Sequence, residues 1–380
     1  MSQIRPMIPY QKIGLDKIQL YGIKIEAVDI PFLLTLDKVT IQESLNQARP
    51  CKRRLPSGAG ITKITIKDNE IFSELIIGCA NDSNGTPVEY VYLTVVIPAA
   101  AGNNLIPWCY DDYNSYLNSI SCYLKTEYHI ALSCADMKIN YIEINCNIPL
   151  AQDFDEYNRP IRLLMSFMDN RMGKLSTYDA VYSKNRNKTT CGESVKRGNK
   201  SAEIIMYNKL QELIDTGKNY DNLNTPILRI ECRIKDKKKI KKVFGSNFWK
   251  DLNDKIIADF FATQTRTQFA EKFKRWREHK LTELRKIITT SRCTSTKNWH
   301  HVMMQRIRNQ SEKTGLPFVL DIEQVYAAVC SYPDKNSKRK CDAIASINIE
   351  DDVYKKHDID KVYEILAGIE FAYKNTVDLL

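Results

Sequence analysis

The chain has 380 residues, of which 43% are hydrophobic, so it is long and apolar enough for two or three domains with real cores. Lys and Arg number 56 against 46 Asp and Glu, and the resulting +10 favours a polyanionic partner, nucleic acid first. No run of about 18 apolar residues is present and the opening MSQIRPMIPYQKIG lacks an apolar signal core, so neither a membrane span nor a secretory leader is expected.

The 11 cysteines include no CxxC pair, are odd in number, and in part sit in apolar stretches (Cys79, Cys134, Cys146, Cys232). That placement predicts reduced, buried thiols in a cytoplasmic protein rather than a disulfide framework.

In chain order, LDKIQLYGIKIEAVDI predicts an opening strand. CKRRLPSGAG at 51–60 follows as a polar loop whose Lys52, Arg53 and Arg54 either touch phosphate or are simply solvated. ITKITIKDNEIFSELIIG at 61–78 reads as a hairpin turning at Asp68-Asn69, and VEYVYLTVVIP at 88–98 as another strand. Tyr113, Tyr116, Leu117, Ile120, Tyr123 and Leu124 recur at helical spacing, which predicts a helix over 111–125 with tyrosines used for packing.

Three later stretches alternate strictly, as strands do when successive side chains face opposite ways. INYIEINCNI sets Glu143, Asn145 and Asn147 opposite Ile142, Ile144, Cys146 and Ile148. AEIIMYNK sets Glu203, Tyr207 and Lys209 opposite Ile204 and Met206. ILRIECRIK sets Arg229, Glu231 and Arg233 opposite Leu228, Ile230, Cys232 and Ile234. If the three share a sheet, one face is core and the other carries acids, a tyrosine, a lysine and arginines.

A helix is expected over 160–172, and KNRNKTTCGESVKRGNK at 184–200 as a polar, basic loop. Lys237, Lys238, Lys239, Lys241 and Lys242 form a cluster after the third strand. From 253 onward the pattern is helical. Phe269, Phe273, Trp276, Leu284 and Ile287 make a stripe ringed by basic residues that include Arg275 and Arg277. Such a helix either lies on DNA or solvates its outer face. Further helices are expected over 302–313, 321–331 and 358–375. No internal repeat is visible, and no Walker or GxGxxG loop supports nucleotide hydrolysis.

Strands and one helix come first and helices later. That order predicts an α+β protein: a largely antiparallel sheet over 1–250, then a mostly helical region over 251–380 for DNA binding or self-association. Tyr207 is the sharpest chemical candidate, because a phenol can attack a phosphodiester and form a covalent intermediate. Lys209 lies two residues on. Glu143 and Glu231 are hard oxygen ligands of the kind that hold Mg²⁺ or Mn²⁺. Glu203 and Glu212 are weaker additions. Arg229 and Arg233 either clamp phosphate oxygens or pair with the glutamates. The five histidines make no metal motif: His300 and His301 are adjacent and point apart, and His129 reads as structural.

Together the segments resemble the rolling-circle replication initiators of plasmids and filamentous phages, the replication initiation factor group. LDKIQLYGIKI looks like that group's opening strand, and INYIEINCNI looks like its strand with an acid, here Glu143. SAEIIMYNKLQEL looks like its segment with Tyr207, Asn208, Lys209 and Glu212, and ILRIECRIK like its strand with Arg229, Glu231 and Arg233. The resemblance runs over roughly residues 11–250. It implies a metal-dependent, site-specific DNA nickase that forms a 5′-phosphotyrosine, primes synthesis from the freed 3′-OH and later rejoins the strand. It also implies origin DNA, single-stranded and duplex, with a host helicase and polymerase as partners. Two positions depart from the pattern: Asn147 stands at the second acid, and Thr190 in TTCG where some members have Tyr. Tyr207 then stands as nucleophile, with Tyr178 and Tyr182 as alternatives. A catalytically dead DNA-binding regulator of the same fold is the competing reading.

Overall fold

The computed structural model describes residues 11–22, 25–43, 61–81, 87–96, 105–168, 175–178, 194–215, 225–278, 320–321, 353–354 and 356–378. The expected loop at 51–60, Tyr182, the His300-His301 pair, the expected helix over 302–313 and all but the first residue of the one expected over 321–331 lie outside them; that first residue, Asp321, is in a two-residue strand instead.

The alternating segments form strands. In chain order these are β1 (Ile13–Gly22), β2 (Ala27–Val28), β3 (Val39–Glu43), β4 (Ile61–Asp68), β5 (Phe72–Asn81), β6 (Pro87–Val96) and β7 (Ile130–Ala131). They continue with β8 (Lys138–Pro149), β9 (Leu175–Tyr178), β10 (Ser194–Gly198), β11 (Ala202–Asn208) and β12 (Ile227–Ile234). The helices are α1 (Ile30–Leu33), α2 (Tyr110–Glu127), α3 (Asn158–Ser166), α4 (Lys209–Asp215), α5 (Lys237–Phe244), α6 (Asp254–Thr265) and α7 (Lys356–Val377). The fold is α+β, as expected, with helices gathered toward the C-terminus. No helix among the described residues is long and apolar enough to cross a membrane.

Ten strands make one antiparallel sheet in the order β3-β4-β5-β6-β1-β8-β12-β11-β10-β9. The order is palindromic about the β1–β8 pair. On each side the chain leaves the central strand, crosses to the edge, and meanders back until its last strand pairs with the one it left.

The register repeats this symmetry. Asp16 is an extra residue in β1, between the pairs Leu15↔Ile144 and Lys17↔Glu143. Asn140 is an extra residue in β8, between Gln19↔Tyr141 and Leu20↔Ile139. A two-fold axis through the Ile18↔Ile142 pair therefore carries Asp16 onto Asn140, Lys17 onto Tyr141 and Gln19 onto Glu143. The same axis carries Tyr92 of β6 onto Glu231 of β12. The sequence hides this repeat because the paired positions carry different side chains.

One face of the sheet is core. Ile18, Leu20, Ile142, Ile144, Ile148, Ile230 and Ile234 are buried there, each contributing about 1.5–3 kcal/mol. α2 lays Tyr113, Leu117, Ile120 and Leu124 on this face, and α6 and α7 lay Ile257, Phe261, Ile365 and Ile369 on it. α6 runs on through a π turn at Arg266–Ala270 to residue 278, bringing Phe273 and Trp276 into the same cluster. The described helices beyond residue 250 thus share the core of the sheet. The five cysteines whose state is described are free, and Cys134, Cys146 and Cys232 are buried.

α7 approaches β8 closely because residue 368 is glycine: a Cβ there would lie 2.5 Å from Ile148 Cγ2. Gly368→Val should therefore destabilise the protein by about 1–3 kcal/mol, read as a lower urea midpoint with an unchanged slope.

Candidate active site

The opposite face of β1, β8, β12 and β11 is polar and nevertheless buried. Register explains which groups meet. Glu203, Arg233, Glu143 and Lys17 make one row across four strands. Ile205, Glu231, Asn145 and Gly14 make the next, and Tyr207, Arg229 and Asn147 the third. The three alternating segments do share one sheet.

Arg233 occupies the middle of the first row and bridges three carboxylates. It contacts Glu143 at 3.0 Å, Glu203 at 3.3 Å and Glu231 at 2.6 Å. Lys235 and Lys196 also reach Glu203, at 2.7 Å and 3.3 Å. In the third row Arg229 is fully buried. Its Nε donates to Asn147 Oδ1 at 2.8 Å, and its Nη1 lies 3.6 Å from Asp16 Oδ2. Asn147 in turn donates to the Leu105 carbonyl. Where the resemblance has a second acid, this chain has an arginine-positioning amide.

Tyr207 is half-buried, and its hydroxyl donates to Glu231 Oε1 at 2.5 Å. That is the spacing of a nucleophile and its base. Burial, and then the charge of Glu231, push the phenol well above its usual range. Burial alone would raise Glu231, but Arg233 and Arg229 outweigh it and hold the carboxyl below the ordinary range. Tyr207 is thus neutral and Glu231 ionised. Tyr178 ends β9, at the far edge of the sheet.

Lys209 was expected on the strand face. It is instead the first residue of α4, where the chain turns back over the sheet. There it is fully buried and ion-paired with Glu212, one turn on. Burial and the neighbouring Arg229 pull its ammonium down to about 8. Leu213 of α4 packs with Leu105 and Ile227 in a small separate cluster, which anchors the turn.

Asp16 is the residue that sequence reasoning missed. The bulge moves it into the site beside Arg229, and burial raises its pKa. The signal was present: Ile13 and Leu15 alternate in one phase, Ile18 and Leu20 in the other, with two polar residues between them. A phase break inside a strand is how a bulge reads in sequence.

Two buried groups at the centre have no partner among the described residues. Asn145 has neither side-chain atom hydrogen-bonded at zero exposure, and Asp16 Oδ1 is likewise without a partner. Buried polar groups are normally paired, so orphans at one spot indicate a surface arranged for something other than itself.

Glu143 and Glu231, the expected metal pair, come together on one guanidinium. Arg233 holds an oxygen of both Glu143 and Glu231, where a cation would sit. Among the described residues no three His, Cys, Asp or Glu side chains are placed to hold a metal ion. Mg²⁺ or Mn²⁺ held by Glu143 and Glu231 would share these two oxygens with Arg233.

The remaining expected DNA contacts divide. α5 presents Lys237, Lys238, Lys241 and Lys242 to solvent, with Lys239 half-buried. Asp236 caps the helix through the Lys239 amide at 2.8 Å, and Gly245 ends it at φ 77°. Arg275 and Arg277 belong to the helical segment on the core face, on the other side of the sheet from Tyr207. Arg275 faces Glu271 at 3.9 Å, and Arg277 donates to the Tyr363 hydroxyl at 2.8 Å. His129 stacks on Phe32 at 3.9 Å, a structural role.

No protein-family model and no curated protein matches this chain.

Two outcomes follow from the buried charges. Burial, and then Glu231, raise Glu143 to about 7. Its raised pKa favours folding below the unfolded carboxyl value, near 4.3, and that contribution fades as pH climbs through about 7. Urea midpoints of wild type and Glu143→Gln should therefore diverge in favour of the variant between pH 5 and pH 8. Asn145→Leu, which removes an orphaned amide, should raise stability by about 1–2 kcal/mol in the same denaturation assay.

Proposed function

We propose that the protein is a rolling-circle type DNA nickase and strand transferase that acts through Tyr207. The observation that carries this reading is the convergence of a tyrosine on a carboxylate base, with two arginines and a buried lysine around them. Phosphoryl transfer asks for that set: a nucleophile, a proton acceptor, and fixed positive charge where phosphate oxygens sit.

In this reading Arg229, Arg233 and Lys209 take the scissile phosphate. Their attraction to it withdraws them from Glu231, whose carboxylate becomes more basic. Glu231 then accepts the Tyr207 proton as Oη attacks phosphorus. The Oη–P bond forms and the P–O3′ bond breaks. Lys209, protonated at neutral pH, gives a proton to the departing 3′-oxygen. Reversal of the same steps rejoins the strand. Origin DNA and host replication proteins in the cytoplasm are the partners this reading implies, and homodimerisation belongs to it only as an expectation.

The competing reading, a non-catalytic DNA-binding regulator, draws on the resting state: the Tyr207 phenol is pushed up while Glu231 is held down. One assay separates them. Single-stranded and supercoiled DNA flanking the gene is incubated with the protein in Mn²⁺, Mg²⁺ or EDTA and run on denaturing gels. A covalent adduct that disappears in Tyr207→Phe is expected. Specific binding with no adduct under any condition would leave the regulator. The metal arms decide whether a divalent ion takes part.

The adduct rate should also fall as pH rises through about 8, where Lys209 loses its proton. Lys209→Gln should be slow and lack that descending limb in single-turnover profiles.

A further inference from the structure

The two-fold axis through the Ile18↔Ile142 pair gives the candidate active site a counterpart in the other half of the sheet. The register places Tyr92 where the second half has Glu231, Thr94 for Arg233, and Gly78 for Tyr207. Gln19 stands for Glu143, Tyr21 for Asn145, and Asn140 for Asp16. The counterpart therefore has no nucleophile and has lost the acids at three positions. What it has gained is aromatic surface.

That surface is also basic. Three lysine ammonium groups rest on aromatic rings: Lys237 on Tyr21 at 5.3 Å, Lys17 on Tyr141 at 5.7 Å and Lys138 on Phe248 at 4.8 Å. Tyr21, Tyr141, Lys17 and Lys138 are half-buried, and Lys237 is exposed. None of these lysines forms an ion pair among the described residues, whereas Lys196, Lys209 and Lys235 of the second half all do. Glu74 lies further out, at the end of the Gln19 row.

The strip leads into the chemistry. Tyr21 lies in the Lys138 row and Gln19 in the Tyr141 row. The Tyr141 hydroxyl donates to Glu143, which shares Arg233 with Glu231, the partner of Tyr207. Aromatic faces interleaved with unpaired lysines suit bases and phosphates of an unpaired strand, since every base has a face to stack and every nucleotide a charge to neutralise.

We propose that the counterpart, a degenerate copy of the active site, forms with the start of β8 and with α5 a platform that holds single-stranded DNA, with bases on Tyr21 and Tyr141 and phosphates on Lys17, Lys138 and Lys237. The strand runs from α5 across β1 and β8 toward Tyr207. This deepens the nicking reading and rests on it for the direction of the strand.

The test uses the full chain and a fluorescein-labelled oligodeoxythymidine of twelve nucleotides, titrated at several salt concentrations beside a duplex of equal length. Wild type is expected to bind the single strand more tightly than the duplex. Tyr21→Leu should weaken that binding about tenfold, from the loss of one stacked base. Lys17→Gln with Lys237→Gln should flatten the slope of log affinity against log salt by about 1.4. Arg275→Gln, on the other side of the sheet, should change neither. Unchanged affinity and slope in both platform variants, or equal affinity for duplex, would overturn the proposal. The lysine pair keeps the test valid if Tyr21→Leu fails to fold. The two readings fail separately: platform-dependent binding without any adduct sinks nicking alone, and a normal adduct with platform-independent binding sinks the platform alone.

Discussion

The antiparallel ladder between β1 and β8 is the constraint on which the molecule depends. It joins the two halves of the sheet, and its two bulges set which β1 and β8 side chains point to the polar face. A bulge adds one residue to one strand and shifts the phase of alternation there. Without the extra residue at Asp16, β1 could not keep Ile13 and Leu15 in the core together with Ile18 and Leu20. The bulge also delivers a carboxylate to Arg229. The core is thus satisfied by the same irregularity that furnishes the site.

Burying so many charges on one face is costly unless each has partners, and the arrangement answers this through Arg233 and Arg229. Arg233 bridges three glutamates from three strands, with Lys196 and Lys235 adding positive charge at Glu203, and its planar fork suits that task where a lysine could not. The consequence is a site held closed by its own ion pairs, with a neutral phenol resting on an ionised carboxylate. An incoming anion is the species that would loosen it, because it competes for the same guanidinium groups. The unpartnered Asn145 and Asp16 oxygen sit where that competition would occur.

The helices divide the labour with the sheet. α2, α6 and α7 cover the apolar face, and from α2 the Tyr113 hydroxyl also donates to the Asp16 carbonyl at 2.6 Å. α4 turns back over the polar face, and it does so by burying Lys209 at its first residue. The basic face of the 254–278 segment is consequently remote from the chemistry, whereas the lysines of α5 lie at the end of the β1–β8 pair, beside Tyr21.

Much of this was legible beforehand. Strict alternation in INYIEINCNI, AEIIMYNK and ILRIECRIK specified three strands and sorted their residues by face, because a strand has a period of two whatever surrounds it. The helix expected over 111–125 and the turn at Asp68-Asn69 were equally local. Which strands are neighbours, and in what register, was not local. Register placed Arg233 between Glu143 and Glu231, so that two expected metal ligands became partners of one cation. The fate of Lys209 depended on where β11 stops, and that of Arg275 and Arg277 on which face α6 covers. The two-fold repeat was invisible for the same reason: the axis equates Tyr92 with Glu231 and Gly78 with Tyr207, and no comparison of residue types would pair them. The sequence by itself determined the elements and their faces, through backbone periodicity. Only the tertiary structure decided the company each side chain keeps, because strand pairing is set by contacts between residues far apart in the chain.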